Sequence, residues 1–516
     1  MLNAAELDRM MKPIMRYLFS PPPAARPILV SWFSKLQNAL NSAVGFCQFN
    51  ISTYFANHIS VDPHNQTVYN LVIGLGLLFE ANQNSIFHLS SQIFYSYHIN
   101  SRIDPSNEIS KLSKSFTRFP YVISLQNKAK ICQIESETLM MTMLLSSVVK
   151  GFIRSFVTDN VNIEPFFEVN IRRDHLIEDA TRQLIGQKKT KYLKKLTVVF
   201  DGEAAVDAGG PSREFLYLIS EQLFSPDYGM FKVVEDRYLW FTMGTYESNR
   251  SFILVGIIIG LAIYNSIVLP IRFPYVLFKK ILNPTQKLNL NDLSQIDSSL
   301  AKSLMDLQEM KERGDDISDL CLTFQVTYDV FGERVTKPLI EGMEDQEVNN
   351  ENVDQYIDAY IDFMLVKSID TQFQGFVKGF KKPCRTNAYS LLDPSEMDIL
   401  LSGEEVLDWG GLKRSAEYSD GYDANSQAVK WFWEVFNTFN NDEKKQFLKF
   451  STGTDRAPFG GLENVHITFQ RSADTNALPV SHTCFNIFTL PDYPSKEILE
   501  RNVKIAIKYT EGFGFV

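Results

Sequence analysis

Residues 478–486 read LPVSHTCFN, and the cysteine of this stretch, Cys484, has neighbours that would act on a thiol. If the stretch is extended, His482, Cys484 and Asn486 share one face, because side chains alternate between the two faces of a strand. A protonated imidazole nearby lowers the pKa of a thiol and favours the nucleophilic thiolate. The stretch therefore predicts a reactive cysteine. The spacing alone favours the alternative, an ordinary strand whose polar face includes a cysteine.

The other four cysteines of the 516-residue chain are weaker candidates. Cys47 and Cys132 lie in apolar helical surroundings and Cys321 lies between two leucines, so we expect all three to be packed and inert. Cys384 is the stronger rival, because basic residues at 381, 382 and 385 would lower the pKa of its thiol. We nevertheless expect Cys384 to lie in an exposed loop without a chemical role. Five scattered cysteines without a CxxC pair exclude a disulfide framework and a cysteine-rich zinc site.

The composition is that of an ordinary globular protein, with 45% hydrophobic and 22% charged residues. The formal net charge of -10 argues against nucleic acid as the principal partner. The scattered cysteines fit a reducing compartment, the cytosol or the nucleus. The N-terminus lacks a basic segment followed by an uninterrupted apolar segment, so we do not expect a secretory signal there. The run FILVGIIIGLAIY at 252–264 is short for a bilayer, which favours a helix buried in a large domain over a membrane span.

Local signals divide the chain near residues 160 and 403. Strands are predicted at 196–200, 322–327, 465–469 and 483–490 from their apolar or alternating patterns. Helices are predicted after Pro211, over 352–369, from Asp393 to about 401, after Ser426, and from Ser495 to about 509. Gly403 stops the helix that begins at Asp393, and we expect a boundary between two lobes there.

Further motifs make the sequence resemble the HECT-type ubiquitin ligases. RRDH at 172–175, FDGE at 200–203, DAGG at 207–210, DLCLTF at 319–324, FSTGTDRAP at 450–458 and EGFG at 511–514 recur in that family's order. The resemblance covers about residues 166–516 and looks closest to the E6-associated-protein type. It implies an α+β, bilobal HECT domain with a mostly helical N-lobe at 166–402 and a smaller α/β C-lobe at 407–516. A hinge at 403–406, with Gly403, Glu404 and Glu405, would join the lobes, and a helical N-terminal extension would cover 1–165.

The same resemblance implies a ubiquitin-protein ligase. Such a protein accepts ubiquitin from a conjugating enzyme as a thioester on Cys484 and passes it to a lysine of a protein substrate, whose identity is unknown. His482 and Thr483 match the neighbours of the family's catalytic cysteine, and Phe513 matches a tail aromatic that supports transfer. No metal and no cofactor is expected. The positions that match the family's groove for the conjugating enzyme are Leu300, Leu304 and Leu307 on a helix, Leu320 and Leu322 on the adjoining strand, and Tyr356 and Tyr360 on a further helix.

Two other functions fit parts of the sequence. A non-catalytic scaffold would keep the conjugating-enzyme groove, but the presence of Cys484 and Phe513 argues against it. A thiol hydrolase would use His482, Cys484 and Asn486, but residues two apart on one strand leave the imidazole poorly placed to hold both the thiol and an orienting amide. For residues 1–165 we favour a helical extension packed on the N-lobe over a docking surface for substrates or regulators.

Overall fold

The structure is a computed structural model that describes residues 21–57, 66–85, 87, 89–108, 116–156, 163–203, 210–330, 332–385, 387–404, 407–458, 460–472 and 474–508. For a few residues in these ranges, Cys484 among them, the backbone alone is described. The chain divides into two compact units. One is Met1–Glu137 with Thr386–Glu396, and the other is Thr138–Arg385 with Met397–Val516. The boundaries predicted at 165, 402 and 406 stay predictions.

The described part of the first unit is built from helices around an apolar core. Along the second helix Leu40, Val44, Cys47, Ile51 and Phe55 recur every three or four residues and are buried, so this helix turns one face to the core. The helices are α1 Arg26–Ser34, α2 Gln37–Asn57, α3 Gln66–Gln83, α4 Tyr97–Asn100, α5 Pro105–Glu108 and α6 Leu125–Ser155, the last of which continues into the second unit.

A buried ion pair fastens the segment Thr386–Glu396 inside the first unit. Lys128 Nζ lies 2.7 Å from each carboxylate oxygen of Glu396, and both side chains are 2% exposed. The Tyr95 hydroxyl donates to the same carboxylate, and the backbone N–H of Asp393 donates to it at 2.6 Å. The carboxylate therefore has charged and neutral donors on both oxygens, as a buried charge requires.

Replacement of this lysine, Lys128→Met, is expected to weaken the first unit by about 3–5 kcal/mol, because it leaves the Glu396 carboxylate buried without its counter-charge. Hydrogen exchange at 388–396 would measure the loss as reduced protection. The exposed neighbour supplies the control, since Lys130→Met removes a charge that lies at the surface. The double variant Lys128→Met/Glu396→Gln removes both charges and keeps an acceptor for Tyr95, so it should regain most of the protection. Equal protection in Lys128→Met and Lys130→Met would contradict the expectation.

The middle of the chain forms the larger, mostly helical part of the second unit. Its strands pair two by two: β1 with β2 in parallel, β3 with β4 and β5 with β6 antiparallel. The elements are β1 Phe167–Ile171, α7 Leu176–Leu184, β2 Leu196–Phe200, α8 Gly210–Leu223, β3 Phe231–Val234, β4 Tyr238–Phe241, α9 Asn249–Tyr264, α10 Tyr275–Leu282, α11 Leu290–Ser294, α12 Ser298–Arg313, β5 Gln325–Val330, β6 Glu333–Pro338, α13 Val353–Leu365 and α14 Asp370–Phe380.

The apolar run at 252–264 is the buried helix α9, which confirms that prediction. Its glycines allow α14 to approach backbone to backbone. A Cβ on Gly256 would collide with the carbonyl oxygen of Phe376 and lie 2.7 Å from the backbone nitrogen of Phe380. In the reverse direction, a Cβ on Gly379 would collide with the carbonyl oxygen of Ile253. Among the helices of the described residues, none combines the length and the hydropathy that a bilayer span needs.

The end of the chain forms a smaller α/β part around one sheet. The strand order is β7-β8-β10-β9, with β7, β8 and β10 parallel and β9 antiparallel at one edge. Phe432 lies at the centre of the core, with its ring 5.0–5.4 Å from those of Phe447, Phe469 and Phe488. Helix α15 Pro394–Ser402 precedes this part, whose elements are α16 Trp409–Arg414, β7 Glu417–Ser419, α17 Gln427–Thr438, α18 Asn441–Thr452, β8 Thr468–Ser472, β9 Val480–His482, β10 Ile487–Pro491 and α19 Lys496–Lys508.

This mixture of helices and small sheets confirms the predicted α+β class. Helix α15 also begins and ends where the sequence predicts: the backbone N–H of Ser395 donates to Asp393 Oδ1 at 3.0 Å, and Gly403 takes a φ of 77° after Ser402. Strand boundaries are less well predicted, since the strand expected at 322–327 begins at Gln325 and the one expected at 465–469 begins at Thr468.

Candidate active site

Cys484 lies in a tight turn at the tip of the β9–β10 hairpin. His482 pairs with Ile487 across the two strands, so the chain must reverse direction within 483–486. Thr483–Phe485 forms a single 3-10 turn, and Asn486 follows in the left-handed conformation with a φ of 52°. The prediction of an extended stretch through Cys484 is therefore wrong beyond His482. His482, Cys484 and Asn486 do not share a strand face, which removes the alignment on which the thiol-hydrolase alternative rested.

Hydrogen bonds to the sheet and to helix α18 hold both ends of this turn in place. The Asn486 carbonyl accepts a hydrogen bond from the backbone N–H of Thr468 at the start of β8, at 2.9 Å. Ser481 Oγ lies 3.0 Å from the carbonyl oxygen of Ile487 and 3.3 Å from that of Ser451 near the end of α18. A reactive group on a turn whose two ends are fastened to rigid elements keeps its position.

Helix α8 contacts the same turn from the larger part of the unit. Arg213 Nη1 donates to Asn486 Oδ1 at 2.9 Å. The α-carbon of Gly210 lies against the Phe485 ring, since a Cβ there would lie 2.6 Å from Phe485 Cε1. The sequence analysis did not identify Arg213 or Ser481. Gly210 lies within the quoted motif DAGG. Its contact with Phe485 was not predictable from the sequence, because the two residues are more than 270 positions apart.

Around Cys484 the turn faces solvent. His482 is exposed, and three apolar side chains beside it are about half exposed: Leu478 at 45%, Val480 at 51% and Phe485 at 52%. Thr483 is half-buried, beside Gly453 at the end of α18. Exposed apolar groups around a reactive position are typical of a surface that binds another macromolecule.

Of the other four cysteines, three are buried and one is exposed. Burial raises the pKa of Cys47 to about 12 and also raises the pKa of Cys132, which confirms that both are inert core residues. Cys384 is buried with its Sγ 3.4 Å from the carbonyl oxygen of Gly260, so the exposed loop predicted for it is wrong. Cys321 is exposed in a left-handed conformation with a φ of 49°, so its predicted packing is wrong too.

The predicted hinge begins with a glycine that no other residue would replace easily. Gly403 has a φ of 77°, and a Cβ there would collide with the carbonyl oxygen of Ala457. Glu404 exchanges two backbone hydrogen bonds with Ala457, at 2.8 and 3.2 Å. The third predicted hinge residue, Glu405, and the predicted tail aromatic, Phe513, lie outside the described residues.

The leucines predicted for a conjugating-enzyme groove occupy α12 and the chain before β5. On α12, Leu304 and Leu307 are buried and Leu300 is half-buried. Leu320 ends the 3-10 turn Ser318–Leu320 and is 45% exposed, whereas Leu322 is half-buried. The prediction that Leu320 and Leu322 lie on a strand is wrong, because the left-handed residue between them ends the turn before β5 starts.

The two predicted tyrosines lie on α13. Their ring centroids are 5.7 Å apart, and the Tyr356 ring lies 5.5 Å from that of Phe324. Burial raises the pKa of Tyr356 to about 12 and raises that of Tyr360 as well. Both rings are therefore neutral near pH 7, and Tyr360 is the less buried of the two.

Comparison with known proteins places these features in a family. Residues 217–516 match the model of the HECT-domain (ubiquitin-transferase). The probable E3 ubiquitin-protein ligase HERC4 of Mus musculus is 32% identical over 520 residues, which are 95% of this chain and 49% of that protein. The human protein HECTD2, also a probable E3 ubiquitin-protein ligase, is 39% identical over 414 residues, 78% of this chain and 53% of its own length. The chain thus spans about half the length of the curated relatives it matches. The chain belongs to the HECT-domain family of ubiquitin transferases.

Proposed function

We propose that this chain accepts ubiquitin from a conjugating enzyme as a thioester on Cys484 and transfers it to a lysine of a protein substrate. The observation that supports this most directly is the position of Cys484 in a fastened turn whose neighbours, His482 and Phe485, face solvent. Membership of a family of ubiquitin transferases supplies the class of reaction.

The reaction has two balanced steps. The Cys484 thiolate attacks the carbonyl carbon of the thioester on the conjugating enzyme, a new C–S bond forms, and the conjugating enzyme's sulfur leaves as a thiolate. An uncharged lysine amine of the substrate then attacks the Cys484 thioester, the amide bond forms, and the Cys484 sulfur leaves while the nitrogen loses a proton. Acyl exchange between sulfur and nitrogen needs no redox partner, so these steps require no cofactor.

We also propose roles for the other predicted residues. His482, Thr483 and Phe513 would support the cysteine. Leu300, Leu304, Leu307, Leu320, Leu322, Tyr356 and Tyr360 would form the conjugating-enzyme groove, with Leu320 as the most exposed contact. Gly403, Glu404 and Glu405 would form the hinge between lobes at 166–402 and 407–516, and the two hydrogen bonds with Ala457 would hold Glu404, its second residue, in place.

Two further points stay at the level of proposals. The relatives that match this chain include HERC4, HECTD2 and HERC3, so the nearer likeness to the E6-associated-protein type stays a prediction. A reducing compartment, the cytosol or the nucleus, would keep Cys484 as a thiol between cycles.

A single-turnover assay tests the proposed function. Ubiquitin-charged conjugating enzyme is mixed with the chain, and the products are resolved with and without reductant. We expect an adduct of one ubiquitin on this chain that disappears with reductant, and ubiquitin on lysine at later times. Cys321→Ala and Cys384→Ala should form the adduct as the wild type does. A scaffold would pass no ubiquitin to any lysine even where the adduct forms, and a hydrolase would release free ubiquitin from a C-terminal fusion of ubiquitin; either result would contradict the proposal.

A further inference from the structure

Asn486 ends the tight turn that carries Cys484, and both of its backbone groups are fastened. Its N–H donates to the carbonyl oxygen of Thr483 at 3.3 Å, and its own carbonyl oxygen accepts from the N–H of Thr468 at 2.9 Å. The α-carbons of Cys484 and Asn486 are two positions apart in the chain, so they are separated by at most about 7 Å. The Asn486 side chain is therefore near enough to reach a carbonyl group attached to the cysteine sulfur.

Arg213 fixes which end of the Asn486 amide faces helix α8. A guanidinium group has only hydrogen-bond donors, so the amide atom 2.9 Å from Arg213 Nη1 must be the acceptor, Oδ1. The amide nitrogen Nδ2 then takes the other position, where it donates no hydrogen bond to any atom of the residues that the structure describes. A half-buried amide whose oxygen is held by a cation thus keeps two N–H donors available beside the turn.

Attack on a thioester at Cys484 creates a negative charge that such a donor would stabilise. The lone pair of an uncharged lysine amine attacks the carbonyl carbon, and the π electrons of the C=O bond move to the oxygen, which becomes an oxyanion. When the C=O bond forms again, the carbon–sulfur bond breaks, the sulfur leaves as a thiolate and the nitrogen gives its proton to solvent. A preorganised amide donor at the oxyanion speeds acyl transfer by about 100- to 1,000-fold.

We propose that Asn486 is a catalytic residue, whose Nδ2 donates a hydrogen bond to the oxyanion on Cys484, and that Arg213 is the residue that positions its amide. This inference rests on the proposed thioester at Cys484. The guanidinium charge at Oδ1 also polarises the amide, which makes its N–H groups stronger donors. Because Arg213 lies on α8 and Asn486 lies on the β9–β10 turn, the amide is held in this orientation only while α8 contacts the turn.

The backbone of Asn486 offers a different reason for an asparagine at this position. Its φ is 52°, and asparagine adopts the left-handed region more readily than most residues do. Two substitutions separate this conformational role from the catalytic one. Asn486→Gly tolerates the same φ but has no side-chain amide. Asn486→Asp keeps an acceptor for Arg213 but has no N–H donor.

The first test measures the release of ubiquitin from the loaded chain to free lysine. The chain is loaded from charged conjugating enzyme, the enzyme is removed, and the decay of the adduct is timed in excess lysine. We expect Asn486→Gly and Asn486→Asp each to slow this decay about 100-fold, because each removes one oxyanion donor. The matched control is Asp420→Gly, since Asp420 has a φ of 51° and is exposed after β7; its adduct should decay at the wild-type rate.

The second test determines whether Arg213 acts through Asn486. Arg213→Ala should slow the decay about 10-fold, because a charged hydrogen bond to the amide is lost. Arg213→Lys should recover most of the rate, because an ammonium group still donates to Oδ1. In the Asn486→Gly background, Arg213→Ala should have no further effect, since the amide that it positions is already absent.

Several results would overturn this inference. One is a wild-type decay rate in Asn486→Gly or in Asn486→Asp, and another is an undiminished effect of Arg213→Ala in the Asn486→Gly background. Alkylation of Cys484 by iodoacetamide forms no oxyanion, so a fall in its rate that matches the slower decay of Asn486→Gly would assign the loss to a disturbed turn. An Asn486→Gly chain that forms no adduct even after a 100-fold longer loading time would also count against it, because loss of one donor slows acyl transfer without abolishing it. A wild-type chain that forms no adduct is the separate failure of the proposed function.

Discussion

The variant Cys484→Ala is expected to form no reductant-sensitive ubiquitin adduct, since it removes the sulfur on which the proposed thioester depends. Four other cysteines remain, but burial raises the pKa of Cys47 and Cys132, and Cys384 is buried against α9. Of the cysteines whose side chains the structure describes, Cys321 alone is exposed. We therefore expect the reductant-sensitive adduct to be absent from the single-turnover assay of Cys484→Ala, not merely reduced in amount.

A second substitution at the same position sharpens this test. Any adduct that Cys484→Ser forms is an oxygen ester, which a thiol reductant does not cleave, so the sensitivity of the adduct to reductant should change. Cys321→Ala is the control, because it keeps Cys484 and removes the one exposed thiol among the cysteines whose side chains the structure describes. A reductant-sensitive adduct that persists in Cys484→Ala and is lost in Cys321→Ala would place the thioester on Cys321 and contradict the proposal.

Gly256→Ala is expected to destabilise the second unit by about 3 kcal/mol or more, the upper end of the cost of overpacking. The added methyl would meet the backbone of α14 at Phe376 and Phe380. A backbone atom in a buried helix cannot rotate away as a side chain can, so relief requires that α9 and α14 move apart. That movement opens contacts along both helices, and their close packing is lost.

Urea unfolding followed by hydrogen exchange would measure this effect. We expect protection to fall in α9 and α14 and to stay unchanged in α2. The control is Gly45→Ala, in the interior of α2, where an added Cβ has no atom within 4 Å. There alanine should stabilise the chain by up to about 1 kcal/mol, because glycine is the poorer helix former. Equal effects of the two substitutions would contradict the role assigned to the helix crossing.

Features that depend on neighbouring residues were predictable from the sequence. The cap formed by Asp393 before Pro394, the stop at Gly403 and the burial of the apolar run at 252–264 all follow from local rules of helix formation. The α+β class follows from the mixture of helical and alternating patterns. The cysteine at 484 and its immediate neighbours were predictable as a candidate site for the same reason, since one short motif carries them.

Features that depend on distant residues were not predictable. Apolar and polar alternation suggested an extended chain through Cys484, but the pairing of His482 with Ile487 forces a turn there. Cys384 was expected in an exposed loop, yet it is buried, with its Sγ 3.4 Å from the carbonyl oxygen of Gly260 on α9. Arg213 reaches the turn from a helix that no sequence spacing connects to it. In each case a tertiary contact decides the outcome against the local pattern.

The burial of Glu396 beside Lys128 has a consequence for how this polypeptide can be shortened. A truncated version that starts at residue 166 would still contain the acidic residue but would lack the lysine and the tyrosine that neutralise and cover it. The exposed remnant, Thr386–Glu396, would lead directly into α15 and so into the region just before Gly403. Excision of the transferase portion should therefore expose apolar residues of this segment to water, Tyr389 and Leu392 among them, unless the cut is made upstream of residue 95.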